Sequence, residues 1–172
     1  MPMTAPVHIV DYQPAWPGLF AQEQALLTFV LAPWLVGPIA HIGSTAVPGL
    51  AAKPVIDMMA PVADLDSARP AIDALVAAGD VCHPYRGDVM HWFCKPSPEH
   101  RTHHLHVVPL GSSWWQAQIA FRDALRQNPA CRDAYQTLKR RLADAHPRDR
   151  EAYTQAKGPF IAGVLAVQPC IP

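Results

Sequence analysis

Apolar side chains recur three and four residues apart toward both ends of the chain and form short continuous runs between them. The first period predicts helices and the second predicts strands. Trp16, Leu19, Phe20, Leu27, Val30 and Leu31 mark the opening helix, which starts at Gln13-Pro14 and is limited by Pro33. Proline is tolerated in a first turn because the N–H it lacks has no helical partner there. Residues 39–42 read as a short strand closed by Gly43-Ser44, and a turn or brief helix passes through Gly49-Leu50. Residues 55–62 read as a second strand, apolar except for Asp57. Such a run needs other elements covering both of its faces. Ser67 is the expected cap of a helix over 67–78, with Pro70 in its first turn and Gly79 as its stop. Residues 81–85, 89–95 and 102–108 read as strands, the first two a hairpin turned by Arg86-Gly87-Asp88. A helix capped by Ser112 or Ser113 runs to Gln127 and ends at Asn128-Pro129. The next carries Cys131, Tyr135, Leu138 and Leu142, and the last carries Tyr153, Ala156, Phe160 and Val164 from near Arg148. Gly158-Pro159 should kink or split that last helix. Strands in the middle and helices at both ends make an α+β layout.

At 172 residues with half of them hydrophobic, the chain suits one domain, residues 1–172, around one core. Fourteen Lys and Arg balance fourteen Asp and Glu. That neutrality lacks the electrostatic footprint of a duplex nucleic-acid binder. The apolar stretch over 29–40 is interrupted by Pro33, Gly37 and Pro38 and is too short to span a membrane. Residues 1–6 lack the basic-then-apolar pattern of a targeting signal. Cys82, Cys94, Cys131 and Cys170 form no C-x-x-C pair and read as free thiols, so a cytoplasmic setting is expected.

Chemistry concentrates in His41-Ile-Gly-Ser-Thr-Ala-Val-Pro-Gly-Leu-Ala-Ala-Lys-Pro-Val-Ile-Asp57. Gly43 and Ser44 at a strand-to-helix junction suit a phosphate, because a helix start offers backbone N–H donors. Lys53 and Arg101 add charge for the same ligand. A carboxylate alone in an apolar strand is costly unless paired, hydrogen-bonded or metal-bound. The plain structural role for Asp57 is a salt bridge to Lys53 or an arginine. Histidines crowd residues 100–106, and on a strand His104 and His106 share one face while His103 takes the other. Such an H-x-H pair offers two metal-binding nitrogens, with His41 a further candidate and His91 a weaker one. Trp114, Trp115, Phe121 and Tyr135 read as packing rather than a base-stacking platform. The chain has no P-loop, G-x-G-x-x-G, H-E-x-x-H or G-x-S-x-G motif.

The stretch 41–57 resembles the diagnostic segment of the GrpB family. The likeness extends to Trp16-Pro17 with Phe20, Arg101 to Val107, Phe121-Arg122-Asp123 with Leu125-Arg126, Tyr135 with Leu138-Lys139, and Tyr153 with Lys157 and Phe160-Ile161. It covers nearly the whole chain in order. It implies a nucleotidyltransferase-like mixed sheet with flanking helices at both chain ends, in a family sometimes fused to dephospho-CoA kinase. Nucleotidyltransferases place a second metal-binding acid two residues after the first, where this chain has Met59. Methionine cannot hold Mg²⁺ in that place. The resemblance implies that His104 and His106 stand beside Asp57 where a later acid would lie, and a His/His/Asp set prefers Zn or Mn to Mg. The expectation is a pocket where Gly43, Ser44, Lys53 and Arg101 hold a nucleotide or other phosphate-bearing small molecule. Asp57, His104, His106 and His41 would hold a divalent metal ion, with Asp57 catalytic in nucleotidyl transfer. The alternative is a binding module for a nucleotide, a coenzyme-A-like ligand or a metal, without turnover.

Overall fold

The run 55–62 is apolar because it forms an inner strand of a five-stranded mixed sheet with order β1-β2-β5-β4-β3. The computed structural model describes residues 5–167. Its strands are β1 (Ala40–Ile42), β2 (Ile56–Val62), β3 (Val81–His83), β4 (His91–Pro96) and β5 (Arg101–Pro109). The helices are α1 (Trp16–Val30), α2 (Ala71–Ala77), α3 (Ser113–Gln127), α4 (Pro129–Ala145), α5 (Arg150–Ala156) and α6 (Gly158–Ala166). β2 and β5 run parallel, while β1–β2, β4–β5 and β3–β4 are antiparallel. The α+β class expected from the pattern is the one observed. Among the described residues no helix is long and apolar enough to cross a membrane.

Period-two alternation divides β2 between two cores. Met58 and Ala60 pack with Leu27 and Leu31 of the α1 region, Leu75 of α2, and Phe93 and Leu105. Met59 faces the other way, with Ile42, Trp92 and Val108, against Trp114, Trp115 and Ile119 of α3. Phe121 and Tyr135 pack with Leu125, Val47 and Phe160, so these aromatics serve packing as expected. A buried ion pair, Glu23 with Lys95, ties α1 to β4.

Local chemistry sets the boundaries. Ser112 caps α3 by accepting from Trp115 N–H at 3.3 Å, and Asn128 caps α4 by accepting from Cys131 N–H at 3.1 Å. The expected helix over 67–78 begins only at Ala71. Ser67 does not cap it, because its hydroxyl and N–H bond the Asp64 carboxylate at 2.7 and 2.8 Å and close a separate turn. β3 stops at His83, two residues short of the expected 81–85, and the turn that follows has Arg86 at φ 45° accepting from both Val89 and Met90. Gly158-Pro159 splits the last helix into α5 and α6, as expected.

The sheet register positions the site. Asp57 lies opposite His104 on β5 and opposite Ile42 on β1. The next residue after β1, Gly43, therefore abuts the Asp57 carboxylate. Gly43 has φ 72° and ψ −173°, a combination essentially reserved for glycine. A Cβ there would stand 2.8 Å from Asp57 Oδ2. Both the backbone shape and the close approach require glycine. Gly43→Ala should therefore lower unfolding free energy by more than ~2 kcal/mol through strain and clash. Urea unfolding of the two proteins checks this, and equal midpoints would refute it.

Candidate functional site

Asp57 is the centre of the site. Its Oδ1 lies 2.9 Å from His104 Nδ1 and 3.9 Å from His106 Nε2, on the same face of neighbouring parallel strands. Burial pushes the Asp57 carboxyl up, yet hydrogen bonds and charge from His104 and then His106 outweigh it and hold the group well below the usual carboxylate range. The side chain remains 28% exposed, so an ionised carboxylate is presented to solvent. No lysine or arginine lies within 4.0 Å of it among the described residues, so the expected salt bridge to Lys53 or an arginine does not form. Histidines take that part instead. His104 is packed against Trp92 at 5.1 Å and has its Nε2 buried without a hydrogen-bond partner. His106 contacts Met90 sulfur through Nδ1 at 3.3 Å and stacks on Trp114 at 6.1 Å.

His41 does not join this group. It pairs with Met58 across the strands, so its side chain leaves the opposite face of the sheet. Its Nε2 is 2.9 Å from Thr45 Oγ1 and its ring stacks on Phe20 at 4.5 Å. Burial lowers its pKa to about 4, against the attraction of Asp57, so it is a neutral structural histidine. His91 is likewise engaged, 2.9 Å from the Leu65 carbonyl. Among the described residues no group of three His, Cys, Asp or Glu side chains is arranged to hold a metal ion.

The junction after Gly43 is a 3₁₀ turn over Ser44–Ala46 rather than a long helix. So short an element has little macrodipole to draw in a phosphate. Arg122 and Arg126 of α3 fix the turn by donating to the His41 and Ala46 carbonyls at 3.1 and 2.9 Å. Ser44 Oγ lies 2.9 Å from Lys139 Nζ, which also donates to the Ala51 carbonyl and sits 5.0 Å over the Tyr135 ring. Lys139 is 2% exposed. Burial, then the charges of Lys157, Lys53 and Arg140, lower its pKa to about 6.

A second Tyr-x-x-x-Lys pair repeats the motif in α5. Lys157 Nζ stands 4.5 Å over the Tyr153 ring, and Lys53 Nζ stands 5.2 Å over the same ring. Burial lowers both lysines, Lys157 to about 7, with each repelling its neighbours and each attracted by Asp57. Lys53, Arg101, Arg150, His100, Thr102 and His104 line a cavity of about 300 Å³ at the end of the sheet where β2 and β5 begin. Arg101 donates to the Pro98 carbonyl at 2.8 Å and lies 5.1 Å over Trp92. Arg150 reaches the Pro98 and Glu99 carbonyls at 3.4 Å. Among the described residues none of Lys53, Arg101, Lys139, Arg150 and Lys157 meets a carboxylate within 4.0 Å. Lys53, Arg101 and Arg150 give the cavity an excess of positive charge over Glu99, the one carboxylate in its lining.

Of the residues singled out in the sequence, Gly43, Ser44, Lys53, Asp57, Arg101, His104 and His106 fall in this region, and His41 faces away. Lys139 and Lys157, quoted only as part of the family resemblance, and Arg150 were not among the site candidates. A signal was present: Lys139 and Lys157 each follow a tyrosine by four residues, which places them on the buried stripe of their helices.

A family model described as GrpB protein matches residues 6–166. "Glutamate-rich protein GrpB" of Alkalihalophilus pseudofirmus is 32% identical, over 92% of this chain and 94% of that protein. A "Dephospho-CoA kinase" of Mycolicibacterium paratuberculosis is 29% identical over 91% of this chain, which spans 44% of that longer protein. The crystal structure of the conserved protein GrpB from Enterococcus faecalis superposes with a TM-score of 0.82 at 34% identity, covering 91% of this chain and 94% of the other. With fold and sequence agreeing over nearly its whole length, the chain belongs to the GrpB family.

Proposed function

We propose that this protein binds a phosphate-bearing small molecule, a nucleotide or a coenzyme-A-like ligand, against Lys53, Arg101 and Arg150. The convergence of three cations on one cavity that holds a single carboxylate, Glu99, with no ion pair to any of them within 4.0 Å among the described residues, carries the reading. Removing cations from water is costly, and a bound anion offsets that cost. Arginine forks suit phosphate oxygens and lysine adds point charge. A similar sequence within a protein named dephospho-CoA kinase supports this ligand class. Cys82, Cys94 and Cys131 are free thiols, which suits the cytoplasm, where such metabolites are met. Two-metal nucleotidyl transfer lacks its second acid, since Met59 is fully buried in the α3-side core. Binding, rather than that transfer, is the primary reading.

A divalent transition metal at Asp57, His104 and His106 is the second reading, favoured by the approach of two imidazoles to one carboxylate oxygen. The donor types fit Zn or Mn, and the buried Nε2 of His104 is a nitrogen in want of a partner. Two features oppose it. His104 would have to exchange its hydrogen bond to Asp57 for the metal, and the surrounding lysines and arginines repel a cation.

Isothermal titration with pyrophosphate tests the primary reading. Lys53→Ala and Arg101→Ala should each weaken binding ~10-fold or more, the scale of a lost charge-assisted hydrogen bond. Absence of binding to the wild type, or equal binding by all three proteins, refutes it.

The pH dependence follows from Lys157, whose pKa lies near 7. It is charged below that value and neutral above it, so pyrophosphate affinity should fall several-fold between about pH 6 and 8. Lys157→Arg keeps its charge and should flatten this profile. A profile that Lys157→Arg leaves unchanged contradicts this role for Lys157.

Calorimetry with Zn²⁺ and Mn²⁺ on wild type, Asp57→Asn and His104→Ala, at about pH 7.5 and 5.5, tests the metal reading. Binding should be lost in both variants and weakened at the lower pH, because only neutral imidazole ligates. Equal binding by the three proteins would put the metal elsewhere.

A further inference from the structure

We propose that Ser44 is a nucleophile toward activated phosphoric esters and anhydrides, and that Lys139 is the base that activates it. This goes beyond ligand binding and uses groups outside the cavity of Lys53, Arg101 and Arg150. Three contacts define the arrangement. Lys139 Nζ lies 2.9 Å from Ser44 Oγ, donates to the Ala51 carbonyl, and sits 5.0 Å over the Tyr135 ring. The Ala51 carbonyl takes one amine hydrogen and so orients the nitrogen. In the neutral amine the lone pair is then left for the serine proton, which travels along the 2.9 Å contact. Ser44 itself is partly exposed, although Lys139 behind it is buried. Attack from the solvent side is open while the base is shielded from water.

The environment favours the neutral amine. Lys53 before β2, Lys157 after α5 and Arg140 on α4 are the charged groups acting on Lys139, and all are positive. With burial they bring it to about 6. Tyr135, also on α4, keeps its proton because burial pushes its hydroxyl well above the usual phenol range. Nearby positive charge also favours the anionic phosphorus centre of the transition state.

In the step, Ser44 Oγ forms a bond to phosphorus and the bond from phosphorus to its leaving group breaks, the electron pair departing with that group. The serine proton passes to Lys139 Nζ, which gives it up to the leaving group or to water. The product is a serine phosphoester, open to a second attack by water or an acceptor hydroxyl.

A fluorophosphonate ester probe tests this, because it traps activated serines with loss of fluoride. Peptide mass mapping of the treated wild-type protein should find the adduct on Ser44 and none in Ser44→Ala. The labelling rate should rise with pH through about 6 and then level. Lys139→Met should label ~100-fold more slowly, the usual scale of general-base assistance. Lys139→Arg should be as slow, since guanidinium holds its proton. An unmodified Ser44, equal rates in wild type and Lys139→Arg, or a rate still climbing at about pH 9, where Lys139 is long deprotonated, would overturn the proposal. If Lys139→Met does not fold, the wild-type pH profile decides. Pyrophosphate binding at Lys53 is measured separately, so the nucleophile can fail while the anion site stands.

Discussion

The carboxylate of Asp57 is held between parallel strands, and it stays ionised because His104 and His106 of β5 face it. Much of the surrounding structure follows from accommodating that charge. Parallel pairing of β2 with β5 brings the acid and the two histidines to one face, while antiparallel β1 delivers Gly43 to its other side. A side chain at position 43 would occupy the space of Oδ2, so the Gly-Ser turn and the acid are one steric unit. Arg122 and Arg126 then anchor that turn from α3.

Asp57 also explains how so many cations share one region. Lys53 and Lys157 flank Tyr153, and both are attracted by Asp57 without touching it. Longer-range attraction and contact with aromatic faces offset part of their desolvation. Their mutual repulsion remains, and an arriving anion relieves it. Burial first, and then this same repulsion, lowers the pKa of Lys139 beside Ser44.

Periodicity made the sheet and most helices legible, because burial on one or both faces writes itself into the order of apolar residues. The break at Gly158-Pro159, the stop at Asn128-Pro129 and a cap at one of Ser112 and Ser113 were equally readable. Ser67 misled because serine bonds a nearby aspartate as readily as a helix N–H, and Asp64 won that competition. Alternation grouped His104 with His106 correctly. Strand register, which no local pattern reveals, decided that His41 pairs with Met58 and not Asp57. Lys139 and Lys157 were hidden for a different reason. A lysine on a helix is ordinarily solvated, and only its spacing from a tyrosine marks it as facing inward.

The central claim is that the field around Asp57 selects an anion. Crystals soaked in tungstate, a heavy phosphate analogue, test it most directly. The account predicts an anomalous peak held by Lys53 and the guanidinium groups of Arg101 and Arg150. A soak that leaves this cavity without tungstate, while Mn²⁺ in a parallel soak binds between Asp57, His104 and His106, would contradict it.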